Sequence, residues 1–277
     1  MQRGDRLIGE EDQDASTVLG RAFTDEGIDV LTETEVRSVS WSDERPSVEI
    51  VGPRIERRRL DGSHLLVAAG RRPNTNTLDL PAARVQSDRA GFVLVDERLA
   101  TSVPGIWAVG DVNRQQPFTR VCQEEAKVAY ANAFDGAELR MQRHFLPHAI
   151  FTNPEIGSVG LTKEGALAEG YDAVAGLVPF GRVEKAELIG ETTGFIKYVA
   201  DRATHRLLGC HVVGSGAADL VYDAVVVMRA GGRIDDLATA VGVFPTLQEG
   251  MEGAARGLLR RIAPEEVAGP LVTAYHR

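Results

Sequence analysis

The 277-residue sequence lacks several of the signatures that most readily disclose a function. No Gly-x-Gly-x-x-Gly occurs; Gly214-Ser215-Gly216 comes nearest but has no third glycine. The chain therefore carries no ready-made cradle for a dinucleotide pyrophosphate. The two cysteines, Cys122 and Cys210, lie far apart, which excludes a disulfide framework, a Cys-x4-Cys redox pair and a cysteine-rich metal cluster. His144 and His148 are four apart, but Pro147 stands between them and breaks any helical pairing, so no metal site is expected. No apolar run approaches the ~20 residues needed to cross a bilayer. Met1-Gln2-Arg3-Gly4-Asp5-Arg6 has no apolar core of the signal-peptide kind. The formal net charge of -9 argues against nucleic-acid or membrane-surface binding. Few cysteines and no leader make a cytoplasmic protein the expectation.

With 43% hydrophobic and 26% charged residues the chain is an ordinary globular one, long enough for about two domains. Its organising stretch is Thr101-Ser102-Val103-Pro104-Gly105-Ile106-Trp107-Ala108-Val109-Gly110-Asp111-Val112. The Pro104-Gly105 turn launches a short apolar run that reads as a buried parallel strand, and a helix-forming segment follows around Gln123–Ala129. A carboxylate at the carboxyl end of such a strand sits where open α/β sheets bind ligands, and it suits a polyol hydroxyl. Asp111 is equally compatible with turning the chain into the next element.

Thr-x-x-Pro-Gly-Ile-x-Ala-x-Gly-Asp resembles the second flavin-binding motif of the pyridine nucleotide–disulfide oxidoreductases. The resemblance implies that Asp111, following Gly110, hydrogen-bonds the ribityl chain of FAD. A second segment, Leu65-Leu66-Val67-Ala68-Ala69-Gly70-Arg71-Arg72-Pro73-Asn74, resembles the family's Leu-Leu-Val-Ala-Thr-Gly-Arg-x-Pro-Asn, with Ala69 where threonine is usual. It reads as a fully apolar strand ending at Gly70, where the backbone can approach a ligand closely, and Gly70 and Arg71 join the cofactor-binding candidates. Phe118 and Thr119, entering the next helix, are the candidates for contacts to the flavin ring. A helix amino terminus there favours negative charge on a reduced flavin. Cys122 reads either as a thiol of lowered pKa at a helix start or as a small buried residue.

In chain order, Ser16–Glu26 has helical spacing and Ile28–Leu31 alternates like a strand. Three further strands are expected at Val36–Trp41, Val48–Val51 and Ile55–Leu60. After residue 146, two short strands separated by Asn153-Pro154 precede a helix at Lys163–Glu169. Strands at Phe195–Ala200 and Leu207–Val213 follow, then helices at Ala217–Ala230 and Ile234–Ala240. The expected fold class is α/β, with partial doubly wound nucleotide-binding domains, followed by an α+β dimerisation domain. The resemblance implies residues 1–80 as the second half of the NAD(P)-binding domain and 81–143 as the carboxyl-terminal segment of the FAD-binding domain. It gives 144–263 to dimerisation and leaves 264–277 as a tail.

Val243-Phe244-Pro245-Thr246-Leu247-Gln248-Glu249-Gly250-Met251 corresponds to the family's His-Pro-Thr-x-x-Glu segment, whose histidine accepts a proton from a dithiol. Phe244 takes the histidine position and cannot act as a base, so a mechanism needing that base is not expected. Glu249 takes the glutamate position, as an acid or as a helix-start carboxylate favoured by the macrodipole. The wording here is closer to mercuric reductases, whose vicinal cysteine pair near the carboxyl terminus has no counterpart before Arg277. The family's glycine fingerprints and redox disulfide lie upstream of the place Met1 corresponds to. The resemblance thus implies the carboxyl-terminal portion of a homodimeric oxidoreductase using FAD and NAD(P)H, from a truncated, split or mis-started gene, with a possible separate amino-terminal half. A non-catalytic dimerising module is the other reading.

Overall fold

The computed structural model describes residues 1–264, so all but the first residue of the expected tail lies outside the described residues. Two compact units are present: Met1–Leu65 together with the chain from Pro147 onward, and Leu66–Leu146.

The first unit opens with helix α1 (Gln13–Asp25), capped by the Asp12 carboxylate, which accepts from the Asp14 N–H at 3.0 Å. Strands β1 (Glu35–Ser42), β2 (Arg45–Gly52) and β3 (Ile55–Asp61) follow as an antiparallel meander in that order, as the turn residues between the expected strands predict. Ile28–Leu31 is a correction: it is irregular, with the Leu31 carbonyl accepting from the Gln2 N–H.

The second unit holds helix α2 (Thr119–Phe134) and little other regular structure. Two expected strands are absent. The run from His64 to Gly70 is irregular, leaving Leu66 89% and Val67 74% exposed. An apolar run becomes a strand only where a neighbour completes its ladder, and no described strand lies beside this one. The run after Pro104-Gly105 is likewise not a parallel strand. Gly105, at φ +84°, turns it back on Leu99–Thr101, where Ala100 and Trp107 form an isolated antiparallel bridge.

The remaining chain builds a five-stranded antiparallel sheet in the first unit. Its strands are β4 (His148–Ile150), β5 (Ile156–Gly160), β6 (Ala173–Pro179), β7 (Phe195–Asp201) and β8 (Leu207–Val213), in the order β4-β5-β8-β7-β6. Helices α3 (Lys163–Ala168) and α4 (Glu184–Ile189) lie between strands; α5 (Ala217–Arg229), α6 (Ile234–Thr239) and α7 (Gln248–Ile262) end the described chain. β7 and β8 are buried along their whole length, so both faces of the sheet are covered. On one face Ala15 and Leu19 of α1 pack with Ile156, Phe195 and Val213. On the other, Gly157 and Gly176 let α5 and α7 approach: a Cβ there would strike Ala217 and Leu258.

Candidate functional site

The expected binding turn is present as a short 3-10 segment, Gly110–Asn113, entered from extended Val109 and closed by Arg114 at φ +57°. Gly110 sits at φ +76°, and a Cβ on it would lie 2.8 Å from Cys122 Sγ. Glycine is required twice over, by conformation and by space. Cys122 thus serves the second of its two sequence readings in part, packing under the turn.

Asp111 points outward and its Oδ2 accepts from Arg71 Nη1 at 2.8 Å, joining two of the expected site residues across forty positions of sequence. Gly70, next to Arg71, has φ +100° and nothing within 4 Å of where its Cβ would be, so the backbone there is open. Beneath the turn lies Glu125 of α2, fully buried. Its Oε2 accepts from the Gly110 N–H at 2.6 Å and from Asn113 Nδ2 at 2.9 Å, and its Oε1 from Arg143 Nη2 at 2.9 Å. Asn113 also donates to the Ala108 carbonyl at 3.2 Å and accepts from the Gln115 N–H at 3.0 Å.

Phe118 is the extended N-cap residue of α2 and Thr119 its first residue, both exposed, and no side chain caps the helix. First-turn N–H groups have no intrahelical partner, so this end suits an anionic edge. Two buried polar atoms of the same unit, Gln116 Oε1 and Arg143 Nη1, have no hydrogen-bond partner among the described residues.

Phe244 and Glu249 belong to the first unit. Phe244 is 64% exposed. Glu249 stands in the first turn of α7, and its Oε1 accepts from the Thr246 N–H at 2.8 Å. That geometry is a helix-start carboxylate tying down the preceding loop. His148 pairs with Glu11, and among the described residues no group of His, Cys, Asp and Glu is arranged to hold a metal.

The chain matches the model described as pyridine nucleotide-disulphide oxidoreductase over residues 1–133, and that family's dimerisation-domain model over 146–255. It belongs to that family. It is 34% identical to a mercuric reductase of Staphylococcus aureus, over 92% of this chain and 46% of the relative. To a dihydrolipoyl dehydrogenase of Cupriavidus necator it is 32% identical, over 92% of this chain and 54% of the relative. Among solved structures, LpdA of Mycobacterium tuberculosis superposes with a TM-score of 0.83 at 27% identity, covering 92% of this chain and 55% of that one. The flavoprotein disulfide reductase RclA of Escherichia coli, at 24% identity and a TM-score of 0.81, shares the fold. The chain thus spans about half the length of the relatives it matches. The fold class is that of the family: a nucleotide-binding fragment followed by a dimerisation domain.

The residues fit the polyol part of the family's flavin. The turn presents an outward carboxylate on a backbone that Gly110 holds at φ +76°, and two buried polar atoms of the same unit, Gln116 Oε1 and Arg143 Nη1, are unpartnered among the described residues. No residue is assigned to a dinucleotide pyrophosphate, because the chain has no glycine fingerprint. Glu125, Asn113 and Arg143 escaped sequence reading. The available signal is Glu125 itself, a carboxylate in the stripe Val121–Glu125–Ala129 that buries one side of α2.

Proposed function

We propose that this chain is the carboxyl-terminal part of an FAD-dependent NAD(P)H oxidoreductase, mercuric reductase-like. In this reading residues 1–80 belong to the NAD(P)-binding domain, 81–143 to the FAD-binding domain and 144–263 to a homodimer-forming domain. The observation that carries it is the Gly110–Asp111 turn, built with its buried support and its carboxylate outward. Bound flavin would supply hydride chemistry between NAD(P)H and a disulfide or small acceptor. The chain's own contribution is to hold and orient. Asp111 would accept a hydrogen bond from a flavin polyol hydroxyl, with Arg71 balancing its charge, and Phe118, Thr119 and the amino terminus of α2 would hold the ring and favour negative charge on it. Phe244 moves no proton. Glu249 is already engaged at Thr246 and serves as a structural carboxylate. A cytoplasmic location belongs to the same proposal; no helix among the described residues is long and apolar enough to cross a membrane.

A second reading, a half-enzyme or non-catalytic dimerising remnant, is favoured by the exposed Leu66–Val67 segment, which has no strand partner. A separate amino-terminal part would supply one. The absorption spectrum of the purified chain, after incubation with FAD and desalting, separates the two. Retained flavin bands support the first reading. A colourless dimer supports the second.

A further inference from the structure

Glu125 is a carboxylate at 0% exposure in the interior stripe of α2. An anion at that depth persists only where donors converge on it, and three do. Two of them, the Gly110 N–H and Asn113 Nδ2, come from the turn that carries Asp111; both meet Oε2. The third, Arg143, supplies the opposite charge on Oε1. One oxygen fixes the turn and the other is neutralised. Nothing comparable fixes Asp111 from outside, since its partner Arg71 is itself exposed.

We propose that Glu125 is a positioning residue for the flavin-binding carboxylate, holding the Gly110–Asn113 turn so that Asp111 meets the ribityl chain in one orientation. This rests on the reading of Asp111 given above. Glutamine does not replace Glu125. With its amide oxygen toward Gly110 and Asn113, its NH2 faces the Arg143 guanidinium, donor against donor; reversed, its NH2 faces two donors of the turn. Aspartate is one carbon shorter and falls short of the turn.

The test compares wild type, Glu125→Gln, Asp111→Asn and the double variant, all as the full chain. Hydrogen exchange read by mass spectrometry reports on the turn without any ligand, and fluorescence titration reports FAD affinity. In Glu125→Gln the peptide spanning 108–116 exchanges at least about tenfold faster while the second half of α2 is unchanged, and FAD binds about tenfold more weakly. Because Glu125 acts through Asp111, the double variant binds no more weakly than Asp111→Asn alone. Unchanged exchange at 108–116, or losses that simply add in the double variant, overturn the proposal. If wild type binds no FAD, the flavin reading of Asp111 fails, and the exchange result alone supports or overturns the role of Glu125 in holding the turn. If Glu125→Gln loses its helical circular dichroism, Asn113→Ala takes its place. That variant withdraws one donor and leaves the pair with Arg143, and the same changes appear in smaller measure.

Discussion

At the scale of single residues, the turn divides what can be changed from what cannot. Gly110→Ala places a Cβ against Cys122 Sγ and holds alanine at φ +76°. It is expected to lower stability by about 1–3 kcal/mol, measured by urea unfolding. Arg71→Ala removes only an exposed ion pair, with side chains 77% and 56% exposed, and is expected to change stability by less than about 1 kcal/mol in the same assay. A large loss from the second and none from the first would reverse this assignment of strain. The Gly110 turn and the Arg71–Asp111 pair were legible as candidates because each residue lies in a contiguous string whose wording resembles the family's. Glu125 and Arg143 were not. Their partners are 15 and 18 residues away, brought together by the packing of α2, and no local spacing reports that.

At the scale of elements, α1 is stapled to the five-stranded sheet by two ionic contacts, one of them buried. Lys197 Nζ lies 2.7 Å from Asp12 Oδ2 and 2.8 Å from Asp14 Oδ2, with Asp12 wholly buried. Lys197→Met leaves that carboxylate buried without its cation and is expected to cost about 3–5 kcal/mol in denaturant unfolding. Beside it, Glu11 bridges His148 Nε2 at 2.6 Å and Ser158 Oγ at 2.8 Å, and His211 lies 3.3 Å from the same Ser158 Oγ. Burial pushes the Glu11 carboxyl up, but the hydrogen bonds and charge of His148 and the Ser158 hydroxyl outweigh it and hold it below its ordinary 4.5. Burial holds His211 below its ordinary 6.5, against the pull of the Leu161 carbonyl and nearby carboxylates. Both groups are depressed in the folded chain, so the unfolded chain takes up their protons first. Stability is therefore expected to be complete above about pH 6.5 and to fall as pH drops through 6.5 and then 4.5, read as a falling Tm. A Tm unchanged from pH 7.5 to pH 4 would contradict it. Residue runs bounded by turn residues were enough to locate α1, the meander, β7, β8 and α5, because each of these finds a partner within the same unit. They misplaced strands at Ile28–Leu31, His64–Gly70 and after Pro104, because apolar content does not reveal whether a neighbouring strand is there. β6 and the short α4 went unnoticed. Gly176 and Pro179 weaken the alternation of β6, and α4 is too short to show a face.

At the scale of the whole molecule, the family's dimerisation domain implies self-association. Sedimentation at micromolar concentration is expected to give a species of twice the 29.9 kDa of one chain. A monomer alone would contradict the homodimer reading. The exposed Leu66–Val67 segment makes a second demand: adding an amino-terminal half of a family member is expected to slow exchange there, through new strand pairing.

The central claim, that the Asp111 turn holds flavin, is tested most directly by titrating FAD into the purified chain and into Asp111→Asn under identical conditions. The account predicts saturable binding by wild type and affinity about 10- to 100-fold weaker in the variant, as expected for a hydrogen bond to a charged acceptor. Equal binding by both, or none by wild type, would contradict it.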